Sequence, residues 1–109
     1  MIGIDLIKIE RMQKMIERFG DKALKRFLSD KEILHVKSPK NAAGFWAAKE
    51  ACSKALGVGI GKDCTFHDMS ISKSTRGAPL LSLSQRLMEN FHIQDISLSI
   101  THDGDYAIA

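Results

Sequence analysis

Trp46, Glu50 and Lys54 recur at every fourth residue of the segment Trp46-Ala47-Ala48-Lys49-Glu50-Ala51-Cys52-Ser53-Lys54. On a helix this spacing puts the three on one face, with Ser53 beside them and Phe45, Lys49 and Cys52 on adjoining stripes. Glu50 and Lys54 then have two readings. They form an i,i+4 ion pair, worth about 0.2–0.5 kcal/mol on an exposed helix, or the carboxylate holds a cation while the ammonium meets a phosphate. The second reading calls for another acid, because magnesium is typically held by one or two carboxylates, with substrate phosphates and waters completing its octahedron. Asp5 is the candidate, a lone charge within the aliphatic run Ile2 to Ile7 that otherwise suits a buried strand.

Other polar groups carry weaker signals. Gly57-Val58-Gly59-Ile60-Gly61-Lys62 invites comparison with a phosphate-binding P-loop, which needs four residues between its glycines, then Lys-Ser/Thr, between a strand and a helix. Here three residues separate Gly57 from Gly61, Asp63 follows Lys62, and the loop follows a helix. It reads as a helix stop and a flexible turn. His102 follows a strand end, where side chains often reach into a cleft; taken alone it is equally a capping or surface histidine. Cys64 and His67 have a metal-like spacing but lack the further ligands of a closed zinc site, and Cys52 and Cys64 read as reduced thiols.

The elements that must position these groups follow from periodicity and punctuation. Ile2 to Ile7 reads as a strand, and Ile9, Met12, Ile16 and Phe19 as the apolar face of a helix stopped at Gly20. Ser29 and Glu32 have capping-box spacing for a short helix to about Val36. Ser38-Pro39 opens the main helix, rich in strong helix formers from Ala42 to Leu56 and stopped at Gly57. Residues 69–73 and 79–83 form a hairpin around the turn 74–78, and Ser84 caps a short helix using Leu87, Met88 and Phe91. Asp95 to Thr101 alternates as a half-buried strand, and the turn Asp103-Gly104-Asp105 leads into a returning strand from Tyr106. The expected fold is α+β: one domain over residues 1–109, a small antiparallel sheet packed with a long central helix and shorter helices.

Composition bounds the setting. With 109 residues the chain has room for one modest core, and 44% hydrophobic with 27% charged residues is ordinary for a globular protein. No apolar run approaches the ~20 residues of a membrane span, and the N-terminus lacks the features of a secretory signal, so the expected location is the cytoplasm. The net charge of +3 is clustered: Lys8, Arg11, Lys14, Arg18, Lys22, Lys25 and Arg26 crowd the first quarter. Such a stripe is a solvated helix face, or it meets an acidic partner such as nucleic acid, an anionic membrane or an acidic protein.

Taken together, Gly3-Ile4-Asp5 with Arg11, the run from Trp46-Ala47-Ala48-Lys49-Glu50-Ala51 to Ser53-Lys54-Ala55-Leu56-Gly57, Gly77-Ala78-Pro79, and Ser99-Ile100-Thr101-His102 with Tyr106-Ala107 resemble the holo-acyl-carrier-protein synthase family, the 4′-phosphopantetheinyl transferases of carrier proteins. The resemblance spans nearly the whole chain. It implies magnesium ligands at Asp5 and Glu50, Lys54 at the coenzyme A phosphates, Gly57, Pro79 and His102 in the same coenzyme A pocket, and Arg11, with Lys14 and Arg18, on a docking face for the acyl carrier protein. Two departures stand out: many relatives carry an arginine where this chain has Phe45 and Trp46, and the family usually continues its last strand beyond Ala109.

The reaction so implied is attack by a carrier-protein serine on the pantetheine-side phosphorus of coenzyme A, releasing adenosine 3′,5′-bisphosphate, a step of fatty acid biosynthesis. Glu50, Lys54 and His102 are the expected catalytic groups, and Glu50, a water on the ion or His102 are the open choices of base. The resemblance also implies a homotrimer with active sites where subunits meet, and no nucleic acid or membrane partner. The rival reading is a non-catalytic basic module for an acidic protein or nucleic acid, which accounts for Arg11, Lys14 and Arg18 but not for Asp5 or Glu50.

Overall fold

The computed structural model describes residues 1–109. Strand β1 (Leu6–Lys8) leads directly into helix α1 (Ile9–Phe19), which ends at Gly20, whose φ of 58° favours glycine and whose N–H donates to Ile16 O. Met12 is buried against the core, but Phe19, expected on the same apolar face, is exposed, with the Arg18 guanidinium 5.0 Å from its ring centroid. A one-turn helix α2 (Asp21–Lys25), too short to announce itself by periodicity, carries Ala23 and Leu24 inward. The predicted capping box opens α3 (Asp30–Ile33): Ser29 N–H donates to Glu32 Oε1 at 2.8 Å and Glu32 N–H to Ser29 Oγ at 3.3 Å. The chain then winds on to Val36 through i→i−3 bonds.

Helix α4 (Pro39–Ala55) starts where Ser38 Oγ accepts the Asn41 N–H at 3.1 Å. Residues 42–49 are buried without interruption, so the helix runs through the core with neighbours on every side. Its alanines let other elements come close. α1 packs along it, and Phe27, Trp46 and Phe66 form an aromatic cluster with centroid distances of 5.0, 6.1 and 5.0 Å.

The strands form two sheets. The hairpin of β2 (Met69–Lys73) and β3 (Pro79–Leu83) has the register Met69↔Leu83 to Lys73↔Pro79 and follows a 3₁₀ turn at Phe66–Asp68. α5 (Gln85–Asn90) starts at the Ser84 cap. A separate antiparallel sheet has the order β1-β5-β4, with β4 at Thr101–Asp103 and β5 at Tyr106–Ile108. Two predicted strands are shorter than expected. β1 pairs with β5 only from Leu6, extended by reciprocal backbone bonds between Asp5 and Ala109, and residues 95–100 join no ladder. Ile96, Leu98 and Ile100 do alternate inward against exposed Ser97 and Ser99. The ladder with β5 begins only at Thr101, which faces Ile108.

One buried ammonium ties the elements together. Lys49 is 0% exposed, and its Nζ donates to Phe27 O at 2.7 Å, Glu32 Oε1 at 2.9 Å and Phe66 O at 3.1 Å. Glu32 Oε2 in turn accepts the Ile71 N–H at 2.9 Å. Burial pulls the Lys49 pKa down and Glu32 pulls it back up. All three ammonium donors are satisfied, which is the condition for keeping a charge inside. Lys49→Met should lower unfolding free energy by about 3–5 kcal/mol in urea denaturation, because it strands the Glu32 carboxylate; a loss below ~1 kcal/mol would show that the junction holds without the charge.

Candidate active site

Gly3 sets the geometry at the C-terminal end of α4. A Cβ there would lie 1.9 Å from Ala51 O and 2.7 Å from Ala55 N, so the chain before β1 rests directly on the last turns of the helix. Two residues further on, Asp5 reaches the same turns: its Oδ1 accepts from Lys54 Nζ at 2.8 Å, and the same ammonium is 3.3 Å from Ile4 O. The i,i+4 pair that spacing suggests between Glu50 and Lys54 is replaced by an ion pair across 49 residues of sequence.

Glu50, one turn before Lys54, is half-buried, and its side chain makes no ion pair. Desolvation raises its carboxyl above the usual range and the negative charge of Asp5 raises it further, while Lys54 and Arg11 act to lower it. Asp5, Glu50, Lys54 and Arg11 therefore lie within Coulombic reach of one another. Two carboxylates that crowd each other's charge form a natural seat for a hard cation. No group of three or more His, Cys, Asp or Glu side chains is placed to hold a metal ion; magnesium with substrate phosphates in its shell asks for only one or two carboxylates.

Gly57 belongs to this end, with φ 80° and its N–H donating to Lys54 O at 2.9 Å. The glycine-rich loop that follows is clamped at its far end: Arg86 Nη2 donates to Lys62 O and, with Nε, to the Asp68 carboxylate. That guanidinium holds the Asp68 carboxyl well below the ordinary range, helped by Thr65 and Ser84. Burial pushes the Cys52 thiol up to about 11, which leaves it unreactive.

The remaining predicted site residues sit elsewhere. His102 Nε2 lies 3.1 Å from Lys40 O in the first turn of α4 and packs against Gly44, where a Cβ would come within 3.2 Å of that nitrogen. With Pro79 it lines a small cavity shared with Phe45 and with Asn41 and Lys73, which spacing did not single out. Lys40 and Lys54 are 14 residues apart, about 21 Å along a helix. Asp5, Glu50, Lys54 and Gly57 thus lie at one end of α4, and Pro79 and His102 at the other.

The basic stripe forms a shallow groove lined by Lys8, Arg11, Lys14, Met15, Arg18 and Phe19. Lys14 is paired with Glu10 at 2.9 Å, and the Arg11 guanidinium lies 5.9 Å from the Trp46 ring centroid. Arg11 therefore links the groove to the carboxylate cluster.

Residues 1–109 match the family model of the 4′-phosphopantetheinyl transferase superfamily from end to end. The chain belongs to that superfamily. It is 65% identical to a holo-[acyl-carrier-protein] synthase of Sulfurimonas denitrificans over 100% of this chain and 90% of the relative. It is 56% identical to one of Nautilia profundicola, over 100% and 95%. A Helicobacter pylori holo-[acyl-carrier-protein] synthase solved in complex with coenzyme A superimposes with a TM-score of 0.95 at 53% identity, covering 99% of this chain and 95% of that one. A Neisseria meningitidis synthase superimposes at 0.88 with 29% identity, covering 98% and 91%. The chain is thus an enzyme of the phosphopantetheinyl transferase class, and the α+β architecture expected from its patterning is the one these synthases share.

The contact at Gly3 leads to a test. Gly3→Ala should push the segment before β1 off α4, separate Asp5 from Glu50 and Lys54, and lower transferase turnover on the order of 10- to 100-fold, with far-UV circular dichroism preserved. Wild-type turnover would mean that the segment slides without moving Asp5.

Proposed function

We propose that the protein transfers 4′-phosphopantetheine from coenzyme A to a serine of apo-acyl carrier protein in a magnesium-dependent reaction, with release of adenosine 3′,5′-bisphosphate. The observation that carries this reading is the convergence of Asp5 with Glu50 and Lys54 against the last turns of α4. Asp5 and Glu50 would hold the ion, which when bound supplies Lewis-acid polarisation of the diphosphate. The serine oxygen forms a bond to the pantetheine-side phosphorus as the bond to the bridging oxygen breaks, and the bisphosphate leaves. Lys54 offsets charge growing on that leaving group, and Arg11 adds positive potential beside Glu50. The serine proton passes to a base, for which Glu50 is the nearest candidate at this end of the helix.

His102, Pro79 and the cavity they line are too far along α4 to join Lys54 within one protomer, so a site using both halves is completed by a second copy. A homotrimer with active sites between subunits meets that need. Two features support association. Met1 and Ile2 are 87% and 92% exposed in the isolated chain, with Ile4 and Leu6 also exposed nearby, and residues 95–100 join no ladder. No helix is long and apolar enough to cross a membrane, and we place the enzyme in the cytoplasm, in fatty acid biosynthesis. A non-catalytic basic module would explain the groove of Arg11, Lys14 and Arg18 but none of the carboxylate cluster.

Incubation with apo-carrier protein, coenzyme A and magnesium should add one phosphopantetheine to the carrier by mass spectrometry, and EDTA should abolish the addition. Salt-sensitive DNA binding with no mass change would favour the basic module instead. Glu50→Gln should lower turnover at least ~100-fold, the scale of losing a key electrostatic group, and near-normal turnover would remove Glu50 from the metal site. Arg11→Glu should raise the KM for carrier protein more than that for coenzyme A; equal losses toward both substrates would contradict a docking role.

A further inference from the structure

The ion pair between Lys54 and Asp5 poses a problem for the proposed chemistry, and its resolution says how the site is loaded. Resting on the reading of Asp5 and Glu50 as cation ligands, we infer that Lys54 is the resident counter-ion of Asp5, that a divalent ion displaces it, and that displacement frees the ammonium for the coenzyme A diphosphate.

Three observations carry this inference. The Asp5 side chain is only 14% exposed, and Lys54 Nζ, 2.8 Å from Oδ1, is its only ion-pair partner. Water screens it little, so some positive charge must stay close. Glu50, one turn before Lys54 on the same helix, makes no ion pair. The two carboxylates are therefore unequal: one is already neutralised, the other is open. Lys54, by contrast, is 53% exposed on a flexible four-carbon stem. Its ammonium is held by one carboxylate contact and the longer contact to Ile4 O.

An ammonium and a dication cannot both touch Asp5 Oδ1 without strong mutual repulsion. The dication prevails because it carries twice the charge and engages Glu50 as well. Lys54 then swings away at little cost and carries its charge to the neighbouring phosphates. Before the ion arrives, the ammonium is engaged with Asp5; afterwards it is free. Cation and diphosphate thus favour each other's binding through one side chain, and by linkage the effect is reciprocal.

The test measures binding without turnover. Free Mn²⁺ is followed by electron paramagnetic resonance during titration of the protein in the absence of coenzyme A, comparing wild type with Lys54→Met, Arg11→Met and Asp5→Asn. Lys54→Met should bind Mn²⁺ about two- to fivefold more tightly than wild type, the range of an exposed ion pair. Arg11→Met, which removes a nearby positive charge that does not touch Asp5, should change affinity less, and Asp5→Asn should weaken it. Unchanged or weaker binding by Lys54→Met, with Asp5→Asn still impaired, overturns the displacement alone. So does equal tightening in Lys54→Met and Arg11→Met, since that reflects only the general field. Equal Mn²⁺ binding by wild type and Asp5→Asn overturns the cation site itself, and the displacement with it.

Discussion

The segment before β1 lies so close to α4 that only a hydrogen fits on the Gly3 Cα, where a methyl group would meet the Ala51 carbonyl at 1.9 Å. Most of what the site can do depends on this approach. A helix supplies Glu50 and Lys54 one turn apart, but by itself it has no second acid beside them. The second acid arrives on an extended chain whose side chains alternate, so with Gly3 turned toward the helix Asp5 is turned toward it too. The contact is with the helix backbone itself, at the Ala51 carbonyl and the Ala55 nitrogen.

That contact is useful only if α4 cannot rotate, because a turn of the helix would carry Glu50 and Lys54 away from Asp5 together. The junction of Lys49 and Glu32 prevents it. Lys49 precedes Glu50 in sequence and points into the protein, where it joins the end of α2, the capping box of α3, the 3₁₀ turn and, through Glu32, strand β2. A lysine in a core costs desolvation that only a complete set of partners offsets, so the helix has one low-energy rotation. Adjacent residues thus have opposite duties. Lys49 fixes the frame from inside, and Glu50 works at its surface.

The two ends of α4 carry different sets of side chains. Carboxylates, Lys54 and the glycine loop occupy one end, and His102 and Pro79 line a separate cavity at the other. Met1, Ile2, Ile4 and Leu6 near the N-terminus are exposed, and residues 95–100 join no ladder.

What could be read directly from the residues was local. Ser29, Ser38 with Pro39, and Ser84 each cap the helix they announce, because a cap is chemistry within three or four residues of itself. The hairpin register around residues 74–78 is equally local. Motif composition was also sufficient for the family, since the run around Lys49-Glu50-Ala51 and the Gly3-Ile4-Asp5 start are specific combinations that the full-length family match bears out. Spacing misassigned whatever depended on distant chain. It offered Glu50 as the partner of Lys54, where the fold supplies Asp5, and it drew strand 95–101 through residues 95–100, which join no ladder. It also had no way to tell that Lys49 is interior. The sequence by itself determined the capped helices and the chemical vocabulary of the site. Tertiary structure alone decided which charges meet, because electrostatic partnership depends on separation in space and on exclusion of water, and neither is a property of neighbours along a chain.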